Sequence, residues 1–255
     1  MRLLCFAICG PGLVRTDNQD NLYVNGFYRE DITDNSVIRH INAADNRGLY
    51  AVADGMGGEM HGELAALEAV RSMGGIDLSD GQVSMSKHIE TSNGVICEMI
   101  MDSGARIGAT FVGLCITSTR ADIINIGDSR LYLLRGGELR QLSRDHTPVR
   151  QMLDIGVITE EAARKHPDRH KLTQHMGIFP AEMIIEPHNA CIDVEDGDAF
   201  LLCSDGLTDM LEDGEIKEIL ETDGSLRSKA ESLYEKAIGN GGKDNITVLI
   251  VEVMQ

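Results

Sequence analysis

The chain has 255 residues, 42% of them hydrophobic, with 23 Lys and Arg against 41 Asp and Glu, a formal charge of −18. That much apolar material supports one sizeable core and argues against disorder. The charge excludes a nucleic-acid binder working through a generally basic surface, because phosphate backbones would be repelled, yet an anionic substrate stays open since a bound divalent cation reverses a local field.

From the amino terminus, apolar runs predict strands over 3–9, 22–28 and 49–53, then a helix over 61–73. Segment 75–107 carries no clear pattern. Strands follow over 110–117, 122–126 and 130–134, and residues 121–142 read as a meander with turns at Gly127-Asp128 and Gly136-Gly137. Short helices are predicted over 148–153 and 160–165, where Thr159 offers an N-cap ahead of Glu160 and Glu161. A strand over 200–203, helices over 215–221 and 226–238, and a strand over 246–253 complete the order. In the last helix Leu226, Ala230, Leu233 and Ala237 fall on one face. Tight strand connections with helices near both ends predict an α+β fold rather than a doubly wound parallel sheet. No run reaches the roughly 18–20 apolar residues of a membrane span, and 3–14 is broken by Gly10, Pro11 and Gly12, so a soluble, cytoplasmic protein without membrane association is expected. The six cysteines form no C-x-x-C pair and read as reduced thiols.

The acid is unevenly placed. Residues 191–224 hold twelve carboxylates and one base, Lys217, whereas 120–180 holds ten bases and eight acids. Most of the acidic stretch reads as a solvated face. Six Asp-Gly dipeptides occur, and turn chemistry accounts for most. Asp54 and Asp205 differ, because each ends a run apolar on nearly every residue, as in a strand buried on both faces. A carboxylate delivered there is partly desolvated and needs a cation or donors. Asp128, Asp244 and Asp20 also stand at strand boundaries. Oxygen ligands of this kind suit Mg2+ or Mn2+ better than Zn2+. Gly55, Gly57 and Gly58 after Asp54, and Gly241 and Gly242 before Asp244, permit a backbone carbonyl to approach a metal closely.

Five motifs now stand in order: Arg15-Thr16-Asp17-Asn18-Gln19-Asp20, Val52-Ala53-Asp54-Gly55-Met56-Gly57-Gly58, Gly127-Asp128-Ser129-Arg130, Ser204-Asp205-Gly206-Leu207-Thr208-Asp209 and Gly242-Lys243-Asp244-Asn245-Ile246-Thr247. The chain thereby resembles the metal-dependent serine/threonine protein phosphatases of type 2C, and Arg144-Asp145-His146-Thr147 resembles their bacterial branch. The resemblance implies two stacked antiparallel sheets flanked by helices, as a single domain over 1–255 with a mobile flap at about 145–180. It implies that Asp54 bridges two Mn2+ or Mg2+ ions, that the Gly55 carbonyl completes one, and that Asp205 and Asp244 hold the other. Asp20 matches an acidic position near the metals, and Asp128 with Asp205 matches the place of a third, weaker ion. The implied reaction is hydrolysis of phosphoserine and phosphothreonine in proteins by in-line attack of a water shared by two cations. Arg15 becomes the candidate phosphate clamp, since a guanidinium donates two parallel hydrogen bonds.

The chain departs from the family pattern in places. Glu59 stands where many bacterial members have His, and Met56 where the animal enzymes do. A seryl alkoxide is a poor leaving group and needs an acid; His61 is the candidate, although it reads equally well as a helix-start residue. Gln19 stands where Glu is commoner, removing one charge beside the metals. Within the flap His166 and His170 have helix-compatible spacing, but a substrate-facing surface for a phosphopeptide is the better reading than zinc. The expected partners are phosphoproteins and a cognate bacterial serine/threonine kinase, with no nucleic acid, and the expected state is a monomer. Two alternatives remain at this point: a catalytically weak or silent relative that binds metal or phosphoprotein as a regulatory module, and a switch phosphatase dedicated to one regulatory protein.

Overall fold

Strands that are apolar on consecutive residues need cover on both faces. The computed structural model, which describes residues 1–57 and 61–254, shows what supplies it. In chain order the elements are β1 (Arg2–Gly10), β2 (Asp20–Val24), β3 (Phe27–Tyr28), β4 (Ile38–Asp45), β5 (Gly48–Met56), α1 (Gly62–Arg71), α2 (Gly81–Ser103), β6 (Gly108–Ala109), β7 (Phe111–Ile116), β8 (Arg120–Ile126), β9 (Arg130–Arg135), β10 (Glu138–Gln141), α3 (Pro148–Asp154), α4 (Glu160–Arg164), β11 (His188–Asp193), β12 (Ala199–Cys203), α5 (Asp205–Thr208), α6 (Asp213–Leu220), α7 (Leu226–Gly239) and β13 (Ile246–Met254).

Two antiparallel sheets stack face to face. One has the order β10-β9-β12-β13-β1-β4, the other β11-β8-β7-β5-β2-β3, with β6 paired to the end of β5. Leu3, Cys5, Ala7 and Cys9 of β1 point into the layer between the sheets, where they meet Tyr50, Val52, Phe200 and Leu249. The alternate residues Phe6 and Ile8 point outward into a second core with Leu207, Ile216 and Leu233 from α5, α6 and α7. On the far sheet Ala51, Phe111 and Ile124 pack against Ala65, Ala69, Met85 and Ile89 of α1 and α2. The result is the expected α+β sandwich flanked by helices. Because helices cover both outer faces, antiparallel strands here read as continuous apolar runs.

The structure departs from the expected elements in four places. The run 22–28 is a hairpin, β2 to β3, turned by Asn25 and Gly26 at φ of +46° and +99°. Segment 75–107 contains the long helix α2, whose inner face buries His88, Ser92 and Asn93 beside Met85 and Ile89, so its apolar stripe is interrupted by polar residues. Strands β4 and β11 are sheet edges with strictly alternating exposure, and half of each is open to solvent. Finally, 121–142 is not one meander: β8 pairs with β7 and β11 in one sheet, while β9 pairs with β10 and β12 in the other. Gly127-Asp128 is thus a crossing between layers.

That crossing matters for the site. It places Asp128 at the same end of the sandwich as the carboxyl ends of β5 and β12 and the amino ends of β2 and β13. Close backbone approach at this end depends on glycine. A Cβ at Gly206 would strike the main-chain carbonyl oxygen of Asn245, and one at Gly55 would strike that of Gly62. Gly206→Ala is therefore expected to push the 205 and 244 loops apart, lowering stability by about 1–3 kcal/mol and weakening divalent-metal affinity. Thermal denaturation with and without Mn2+ checks both effects.

Candidate metal centre

Antiparallel register sets Asp20 of β2 directly across from Asp54 of β5. Asp205 opens α5 immediately after β12, and Asp244 precedes β13, the neighbour of β12. With Asp128 from the layer crossing, Asp54, Asp205 and Asp244 line one cleft of about 680 Å3, together with Arg15 and Gly55. Asp20 lies beneath it, fully buried.

Hydrogen bonds hold these acids in place. Ser204 Oγ and Thr247 Oγ1 donate to Asp20 Oδ2 at 2.7 and 2.6 Å, and both come from the opposite sheet. The Asp54 amide donates to Thr110 Oγ1 at 3.0 Å, and that hydroxyl lies 2.7 Å from Ser129 Oγ. Asn245 accepts from the Gln19 amide at 2.8 Å and donates to the Asp17 carbonyl at 2.8 Å and the Pro11 carbonyl at 3.2 Å, joining the amino-terminal loop to the Asp244 loop. Arg29, itself buried, donates to the carbonyls of Asn18 and Asp20 at 2.6 and 2.9 Å.

Electrostatics at this end are adverse for carboxylates alone. Burial, opposed by the two hydroxyl donors and aided by Asp205 and Asp244, pushes the Asp20 carboxyl up to about 7. Burial, then repulsion from Asp20, Asp205, Asp128 and Asp244, raises Asp54 well above the usual carboxylate range. Asp128 is raised in the same way by burial and by Asp205. Asp20 Oδ1 has no hydrogen-bond partner among the described residues. An all-oxygen donor set with an orphaned buried carboxylate oxygen, beside a glycine whose side of the backbone admits no Cβ, fits hard divalent cations.

The other candidates fall differently. Arg15 Nη2 is 2.8 Å from Asp244 Oδ2, and its side chain is 57% exposed at the cleft mouth. Gln19 and Met56 line the cleft. Gly58 and Glu59 lie outside the described residues. His61 is the N-cap of α1 at φ +78°, with Nδ1 3.8 Å from Glu63 Oε1, and it is not among the residues lining the cleft. The imidazoles that do line it are His170 and His175. His170 Nδ1 faces Asp205 at 3.5 Å and Nε2 faces Asp209 at 3.3 Å; its hydrogen bond to Asp205 raises its pKa above the ordinary histidine value. The helical spacing of His166 and His170 is not realised, because α4 ends at Arg164. Thr110 and Arg29 had no place among the sequence motifs, while Asn18, Asn245, Ser129 and Ser204 sat unassigned within them.

Residues 24–236 match the family described as Protein phosphatase 2C. The chain is 36% identical over 239 residues to the serine/threonine phosphatase stp of Listeria welshimeri, covering 86% of this chain and 93% of that one. It is 36% identical over 251 residues to protein phosphatase PhpP of Streptococcus pneumoniae, covering 95% and 94%. Among solved structures, the catalytic domain of serine/threonine protein phosphatase PstP in complex with two manganese ions superposes with a TM-score of 0.80 at 29% identity, covering all of both chains.

The raised carboxyl of Asp20 has a definite consequence for stability. It ionises near 3.9 in the unfolded chain and near 7 in the fold, so rising pH between those values favours unfolding. In chelator, Asp20→Asn should therefore gain thermal stability over the parent progressively across that window and by a constant amount above it. Melting temperatures of both proteins in EDTA from about pH 4 to pH 8 check this. In Mn2+ the advantage should shrink or reverse.

Proposed function

The chain belongs to the protein phosphatase 2C family, and on that premise we propose that its acidic cleft is where phosphoserine and phosphothreonine of protein substrates are hydrolysed. It is a metal-dependent protein serine/threonine phosphatase. The observation that carries the reading is the convergence of Asp54, Asp128, Asp205 and Asp244 on one cleft, with Asp20 beneath them and Arg15 at the mouth.

In this reading Asp54, the Gly55 carbonyl, Asp205 and Asp244 hold two divalent ions, with Asp20 close behind. Asp128 and Asp205 hold a third, weaker one. Bound there, Mn2+ or Mg2+ neutralises the phosphomonoester dianion and acidifies water enough to supply hydroxide at neutral pH. The side chains then have distinct tasks. Ser204 and Thr247 fix one oxygen of the Asp20 carboxylate from across the sandwich and leave the other without a hydrogen-bond partner among the described residues. Thr110 and Ser129 brace the Asp54 backbone. Arg15 holds substrate phosphate, for which its exposed position and its single short contact to Asp244 leave further donors. The leaving alkoxide must gain a proton. His61 lies off the cleft, so His170 and His175 are the imidazoles positioned on its wall.

The chain acts in this reading as a monomeric single domain in the cytoplasm, opposing a serine/threonine kinase, with 145–180 as its flap. No helix among the described residues is long and apolar enough to cross a membrane. The silent-relative alternative is disfavoured by the complete aspartate set and by relatives that are named phosphatases.

Two substitutions separate metal binding from phosphate binding. Asp54→Ala should lose at least about a thousandfold in kcat on p-nitrophenyl phosphate and on a phosphothreonine peptide in Mn2+. Arg15→Ala should keep metal-induced stabilisation while raising KM about 10–100-fold, the worth of a charge-assisted hydrogen-bond pair. Steady-state kinetics over a Mn2+ titration check both, and full activity in Asp54→Ala would overturn the assignment.

A further inference from the structure

Beside the cleft lies a second cavity of about 210 Å3, and Asp128, His170 and Asp205 form walls of both. Its outer wall is the flap: Arg150 from α3, Arg164 from α4 and Arg169 from the loop that follows, with Arg130 of β9 also lining it.

These arginines differ in what already holds them. Arg130 grips Asp145 with contacts of 3.1, 3.0 and 2.6 Å, a structural pair. Arg150 Nε is 2.8 Å from Asp154 Oδ1, an ion pair without hydrogen-bond geometry, and is otherwise unpartnered among the described residues. Arg164 and Arg169 reach only Asp213 at 3.9 Å and Asp209 at 4.0 Å, and neither side chain makes a hydrogen bond among the described residues. Their side chains are 38% and 40% exposed, so such loose pairs contribute little and are readily exchanged. Six acids line the cavity as well: Asp128 and Asp205 are shared with the metal cleft, Glu160 stands on the flap wall, and Asp145, Asp209 and Asp213 each have a partner besides Arg164 and Arg169. Asp145 also accepts from Gln141 at 2.7 Å, Asp213 accepts from the Tyr132 hydroxyl at 3.1 Å, and Asp209 faces His170 at 3.3 Å. The segment 120–180 carries ten bases and eight acids in a chain whose charge is −18. Two planar forks with unengaged donors, one wall away from the phosphate cleft, match a carboxylate or a phosphate.

We infer that this cavity takes a second anionic group of the substrate through Arg164 and Arg169, so that the enzyme prefers phosphoproteins bearing an Asp, a Glu or another phosphate a few residues from the phosphate removed. The inference rests on the phosphatase reading of the neighbouring cleft. The shared chemistry is an anionic oxygen pair, supplied by a carboxylate or by phosphate.

Kinetics in Mn2+ on a set of phosphothreonine peptides tests it. One peptide has neutral flanks; the others carry Glu, a second phosphothreonine or Lys at successive flanking positions. The wild type should favour Glu or second-phosphate peptides over the neutral one by about tenfold or more in kcat/KM, mainly through KM. Whichever arm gives the gain identifies the anion. In Arg164→Gln and Arg169→Gln the ratio should fall towards one, and in the Arg164→Glu, Arg169→Glu double variant Lys-flanked peptides should become the better substrates. A role of these arginines in folding alone would not invert that preference. Equal rates on all peptides in the wild type, or an acidic preference that survives in the double variant, would overturn the inference. Failure of the wild type to hydrolyse any peptide would instead remove the phosphatase reading beneath it.

Discussion

Carboxylates crowded at one end of a β-sandwich, where burial and mutual repulsion both oppose ionisation, set the terms for the rest of this molecule. Asp20 is the extreme case, buried between sheets with one oxygen held by two hydroxyls and the other without a partner. No folded chain keeps such a group for stability, because an apolar residue of similar size would be cheaper to bury. Its retention makes sense when divalent cations complete the set, and then the local field reverses from repelling to attracting phosphate.

Holding these acids in position requires rigidity that they cannot supply themselves. The fold provides it in three ways. Antiparallel register sets Asp20 against Asp54, whatever their 34-residue separation in sequence. Glycines at 55 and 206 let main chains touch where a Cβ would collide. Buried amides and hydroxyls, chiefly Asn245, Thr110, Ser129, Ser204 and Thr247, fasten the loops of one sheet to those of the other. The hydrophobic layer between the sheets therefore does more than stabilise: its length and register decide where five loop ends meet.

The strands flanking the site were legible because helices cover both sheets, which leaves an apolar signature on nearly every residue. The edge strands β4 and β11 were not, since their exposed halves dilute the same signal. Helix α2 was hidden because His88, Ser92 and Asn93 are buried in its inner face: His88 Nε2 pairs with the Ala69 carbonyl at 2.7 Å, and Asn93 binds the 177–178 backbone. The metal-site aspartates were legible as strand-end acids. The flap histidines were legible as a substrate-facing surface, but which of them faces the cleft depends on how 145–180 folds back, and the sequence beside Glu59 instead offered His61 as the candidate acid. Arg29 carries no local pattern, and Asn18 had no role assigned within its motif; their roles are contacts to main-chain carbonyls and to a buried thiol.

The central claim is that these carboxyl groups are driven to ionise by cations rather than by water. Proton release on Mn2+ binding measures this directly, because raised carboxyls that are protonated in chelated protein must give up their protons to become ligands. Titration calorimetry of chelated protein with Mn2+ near pH 6, repeated in buffers of different ionisation enthalpy, counts those protons. The account predicts net release of about one proton or more per chain, falling as pH rises above about 7 and reduced in Asp54→Asn. Binding heats independent of the buffer would contradict it.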